Sequence, residues 1–95
     1  MKAKSEFRIL VVEDDFLIAS QLQNYLEDLH YSVVTVCDTA EESLKVLQKE
    51  TVDLVLLDIQ LQGHMDGVDL ALVIRNHYKT PVLFISSHTA ESIIE

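Results

Sequence analysis

Asp53-Leu54-Val55-Leu56-Leu57-Asp58 decides the fold. Four consecutive apolar residues lie between two aspartates, with no alternation of polar and apolar positions. A strand with one wet face alternates; a strand covered on both faces does not. Arg8-Ile9-Leu10-Val11-Val12 has the same character and also ends on acids, Glu13-Asp14-Asp15. Two such strands predict a parallel sheet with helices on both sides.

The segments between them fit. After Asp15, apolar residues at Ile18, Leu22, Tyr25, Leu26 and Leu29 recur at helical spacing, and the preceding acids suit a helix N-terminus. Tyr31-Ser32-Val33-Val34-Thr35-Val36-Cys37 reads as a second strand. Thr39-Ala40-Glu41-Glu42 has the form of a capping box, opening a helix with Ala40, Leu44 and Leu47 on one side. A loop spans residues 59–67. Residues 68–77 read as a helix with Leu70, Ala71, Val73 and Ile74 on a broad apolar face. Pro81 opens a fourth strand, Val82-Leu83-Phe84-Ile85. Residues 86–89 form a polar turn, and residues 90–95 begin another helix.

Strand–helix alternation with right-handed crossovers leaves few topologies. The expected one is an α/β, flavodoxin-like doubly wound parallel sheet in the order 2-1-3-4. In such sheets ligands bind at the C-terminal strand ends, beside the switch in strand order. Glu13, Asp14 and Asp58 end the two strands that flank this switch. Three carboxylates at one sheet edge repel each other, and a divalent cation relieves the repulsion better than protonation does. An all-oxygen donor set suits Mg2+. Ordinary solvated acids would account for Glu13 or Asp14 alone, but poorly for the pair together with Asp58.

Composition narrows the function classes. Ninety-five residues, 48% of them apolar, with only two glycines and one proline, suit one ordered domain. A formal charge of -9 argues against direct binding to nucleic acid or an anionic membrane. Cys37 is the single cysteine, so no internal disulfide forms, and a cytoplasmic setting is expected. No apolar run approaches the length of a membrane span, and the N-terminus lacks the apolar run of a signal peptide. His30, His64, His77 and His88 show no metal-ligand spacing.

Four motifs in order resemble the receiver domains of bacterial response regulators. Val11-Val12-Glu13-Asp14-Asp15 is similar to their first-strand acidic motif, and Leu56-Leu57-Asp58-Ile59 to their phosphoacceptor strand. Met65-Asp66-Gly67 matches the triplet that follows that aspartate in many members. Pro81-Val82 and Ser86 are similar to their fourth-strand segment and its Ser/Thr position.

The resemblance implies that Asp58 accepts a phosphoryl group from a histidine kinase or phosphotransfer protein. It implies that Asp14 and Asp58 ligate Mg2+ directly, Glu13 through water, and Gln60 through its backbone carbonyl. It also implies that the Ser86 hydroxyl contacts the phosphoryl group. Such a domain catalyses its own phosphorylation and dephosphorylation and is mainly a switch, often joined to a C-terminal effector domain.

Two departures stand out. Gln62-Gly63-His64 replaces a shorter, proline-bearing loop. The family's fifth strand, with its lysine, and its last helix have no counterpart, and Lys79 is wrongly placed for that role. Residues 1–95 therefore read as a receiver domain that is C-terminally incomplete, prone to self-association through an exposed fourth strand. A pseudo-receiver that binds partners without phosphorylation is the alternative. An aspartyl-phosphate hydrolase ranks last, because Gln60 stands where such enzymes commonly place a second acid.

Overall fold

The computed structural model describes residues 3–59, 61 and 65–85. Within them the chain forms β1 (Arg8–Val12), α1 (Phe16–Asp28), β2 (Ser32–Cys37), α2 (Ala40–Lys49), β3 (Leu54–Asp58), α3 (Gly67–His77) and β4 (Val82–Ile85), after a short 3-10 turn at Lys4–Glu6. The four strands are parallel and ordered β2-β1-β3-β4, as expected from the sequence.

The unbroken apolar runs of β1 and β3 are explained by burial on both faces. Leu10, Val12, Val55 and Leu57 point to one side, where Leu70 and Ile74 of α3 and Ala40 and Leu47 of α2 meet them. Ile9, Val11 and Leu56 point to the other, where Leu26 of α1 packs. Each such side chain contributes roughly 1.5–3 kcal/mol by leaving water. The two central strands are therefore held from both faces.

Helix ends follow their sequence signals. Asp15 Oδ1 accepts the N–H groups of Leu17 at 3.0 Å and Ile18 at 3.2 Å, capping α1. The Thr39 hydroxyl accepts the Glu42 N–H at 3.2 Å at the start of α2. At the end of α1, the His30 N–H donates to Glu27 O and the Tyr31 N–H to Leu26 O, while His30 adopts φ 73°. This pair of bonds is the Schellman arrangement, and a non-glycine residue there carries some left-handed strain.

Several boundaries differ from the sequence reading. Tyr31 precedes β2 rather than joining it, because its N–H is committed to the end of α1. Tyr25 and Leu29 are exposed, so the face of α1 against the sheet centres on Ala19 and Leu26. Asp53 lies before β3. It accepts the Arg8 N–H at 2.8 Å and donates its own N–H to Arg8 O at 2.8 Å. Arg8 also bonds Thr51 O and Glu50 Oε1, each at 2.7 Å. This clamp holds the start of β1 against the entry to β3 and so sets which residues face each other at the far end.

Candidate phosphoacceptor and cation site

The register fixed by the Arg8 clamp pairs Val12 with Leu57. Glu13 and Asp58, one residue further along, therefore leave the sheet side by side. Each strand end is tied outward as well: the Glu13 N–H donates to Cys37 O at 2.9 Å and the Ile59 N–H to Ile85 O at 3.1 Å. The acids are thus carried by backbone anchored on both flanks. Glu13, Asp14 and Asp58 each bring one carboxylate oxygen to within 4.8 Å of the others. The three residues expected to meet do meet.

Their environments differ. Glu13 and Asp58 are each 1% exposed, whereas Asp14 is half-buried. Glu13 Oε2 accepts the Asp15 N–H at 3.0 Å. Glu13 Oε1 is buried without a hydrogen-bond partner. Burial pushes the Glu13 carboxyl up to about 8; the Asp15 N–H pulls the other way, and the Asp58 and Asp14 carboxyls add to the rise. A buried acid held in its protonated range, with one orphaned oxygen and two acids beside it, lacks positive charge. The donor set is all oxygen, and Asp14 keeps one side open to water. These residues fit a hard divalent cation of the Mg2+ type.

The structure adds one residue whose importance the sequence left ambiguous. Asp66-Gly67 reads either as a plain turn signal or as part of a family motif. Asp66 caps α3, accepting the Asp69 N–H at 2.9 Å. Gly67 begins the helix against the backbone of Asp58 and Ile59. A Cβ on Gly67 would collide with the Asp58 carbonyl oxygen and lie 2.8 Å from that of Ile59. The close approach requires glycine, and it sets the first turn of α3 against the strand end that bears Asp58.

Gln60 and Ser86, the other two expected site residues, lie outside the described residues, as do His64 and His88. Cys37 is buried beside the end of β1, and burial raises its thiol to about 11, consistent with a structural residue.

Comparison with known proteins bears on this geometry. The family described as "Response regulator receiver domain" matches residues 9–95. The transcriptional regulatory protein YxdJ of Bacillus subtilis is 40% identical over 84 residues, covering 88% of this chain and 36% of that protein. The chain thus spans about a third of the length of that relative. The signal receiver domain of a modulated diguanylate cyclase from Desulfovibrio desulfuricans superposes with a TM-score of 0.83 at 35% identity, covering 90% of this chain and 68% of that one. TrrA from Thermotoga maritima, solved in complex with Mg2+ and BeF, gives a TM-score of 0.79 at 31% identity, covering 87% of this chain and 71% of that one.

Proposed function

The chain belongs to the response regulator receiver family, and on that premise we propose that Asp58 accepts a phosphoryl group from a phosphohistidine donor in a Mg2+-dependent reaction. The observation that carries this reading is the meeting of Glu13, Asp14 and Asp58 at adjacent strand ends. TrrA, a similar receiver crystallised with Mg2+ and BeF, supports it.

Each residue has a distinct task. One Asp58 oxygen forms the new P–O bond while the P–N bond of the phosphohistidine breaks, the bonding pair returning to the imidazole nitrogen. Carboxylates are competent nucleophiles for acyl phosphate formation. The buried end of β3 would position that oxygen, and positioning accounts for most of what a protein does for phosphoryl transfer. Asp14 and Asp58 would ligate Mg2+, with Glu13 holding one of its waters through the orphaned Oε1 and Gln60 adding its backbone carbonyl. Bound there, Mg2+ offsets the charge of both the carboxylates and the incoming phosphoryl oxygens. Ser86 would donate its hydroxyl to the transferred group and so report its presence. The donor would be a histidine kinase or phosphotransfer protein in the cytoplasm, and the response would pass to an effector in a longer parent protein.

The test is incubation with acetyl phosphate and Mg2+, followed by intact-mass measurement. The expected result is one added phosphoryl group, absent in Asp58→Ala and absent when chelator replaces Mg2+. Equal labelling of Asp58→Ala would rule the proposal out.

A further inference from the structure

Asp15 stands between the acid trio and α1 and bonds to both. Its N–H donates to Glu13 Oε2 at 3.0 Å. Its carbonyl oxygen accepts the Ala19 N–H at 2.9 Å. Its Oδ1 accepts the N–H groups of Leu17 and Ile18. One residue thus joins the first turn of the helix to the buried Glu13 carboxyl.

The first turn of α1 depends on this cap. Phe16 is 83% exposed and Leu17 65%, so neither holds the turn by packing, and the first buried residue of the helix is Ala19. The Leu17 and Ile18 N–H groups have no acceptor among the helix's own carbonyls. Without Oδ1 the turn is free to unwind as far as Ala19. The start of α2 is built differently. Its first residue, Ala40, is fully buried, so the Thr39 cap there is backed by packing.

Asp15 is not one of the grouped acids. It is exposed, and among the described residues the cluster that could hold a cation is Glu13, Asp14 and Asp58. What Asp15 governs is their placement. The Glu13 N–H is fixed to Cys37 O at 2.9 Å, and the Asp15 N–H returns to the Glu13 carboxyl. Asp14 therefore lies in a short bend pinned at both ends. The same bond decides which Glu13 oxygen is occupied: Oε2 is taken, and the buried Oε1 stays without a partner.

Resting on the cation-site reading above, we propose that Asp15 is a positioning residue for Mg2+. By capping α1 it holds its own N–H against Glu13 Oε2, and so keeps Glu13 and Asp14 in the arrangement that receives the ion. The role belongs to Asp15 as a hydrogen-bond acceptor and not to its charge.

Asparagine caps a helix as well as aspartate does, and alanine does not. Isothermal titration with Mg2+ in about 0.15 M salt, which weakens the pull of exposed charges, separates the two roles. Asp15→Ala is expected to bind about fivefold more weakly than wild type. That is less than the roughly 10–100-fold for losing a group bonded directly to a metal ligand, because the residue 15 N–H remains but is no longer held. Asp15→Asn is expected to stay within about twofold of wild type. Thr39→Ala, which removes the cap of α2, is expected to bind like wild type. Amide hydrogen exchange reads the link without metal: the residue 15 N–H is protected in wild type and Asp15→Asn and loses that protection in Asp15→Ala.

Equal Mg2+ binding by wild type and Asp15→Ala overturns the proposal, as does an amide that exchanges alike in all three. Clear weakening in Asp15→Asn overturns it alone, since the charge would then carry the role. Thr39→Ala weakening as much as Asp15→Ala also overturns it, reducing the effect to general loss of stability. A wild type that binds no Mg2+ overturns the cation site and this role together.

Discussion

Gly67→Ala is expected to destabilise the domain by about 3 kcal/mol, the upper part of the range for forcing atoms into a packed interior. The added methyl would meet the backbone carbonyls of Asp58 and Ile59. Neither is the tip of a flexible side chain, so relief requires α3 to move off β3. Movement separates Leu70 and Ile74, both fully buried, from Val55 and Leu57. Alanine's better helix propensity returns about 1 kcal/mol at most, too little to offset the collision. For a domain of this length the loss lowers the melting temperature by roughly 12–24 °C. Thermal unfolding followed by circular dichroism reads it, with Val68→Ala, at a neighbouring exposed position, as the control that leaves the melting temperature nearly unchanged. A Gly67→Ala protein that melts with wild type would mean that α3 does not sit where the structure puts it.

The second large effect concerns Glu13 and pH. Its carboxyl is raised from 4.5 to about 8 in the folded protein, chiefly by burial. Below pH 4.5 both folded and unfolded chains hold the proton, and Glu13 contributes no slope. Between 4.5 and 8 the folded chain keeps a proton that the unfolded chain has released. Raising the pH through this window therefore weakens folding, until above 8 both states are ionised. Glu13→Gln removes the titration. Denaturant unfolding in chelator should show wild type losing stability relative to Glu13→Gln as the pH rises from 5 to 8. Added Mg2+ should flatten the wild-type curve, because the ionised carboxylate then has a counter-charge. A wild-type curve parallel to that of Glu13→Gln would refute the assigned environment.

The sheet was legible because β1 and β3 are apolar without interruption, and only a doubly covered parallel strand needs that. The meeting of Glu13, Asp14 and Asp58 followed from strand order alone, since the switch between β1 and β3 lies where both runs end in acid. Finer features depend on contacts that spacing does not encode. Asp53 reads as a strand residue until its bonds to Arg8 are seen. Tyr25 and Leu29 match the helical period of α1 yet stand outside, because α1 rests on the sheet through Ala19 and Leu26. Gly67 could have been a turn residue; only the closeness of two carbonyls shows why a side chain is refused there. The different burial of Asp14 and Glu13, adjacent in sequence, is likewise a property of the packed strand ends and not of residue type.

Isothermal titration with Mg2+ at pH 8 tests most directly whether the three acids share one cation. One ion per chain should bind wild type, with affinity falling at least about tenfold, or about 1.4 kcal/mol, in Asp14→Asn and in Asp58→Asn. Asp38→Asn, an exposed acid outside the trio, should bind like wild type. Undiminished binding in both trio variants would contradict the account.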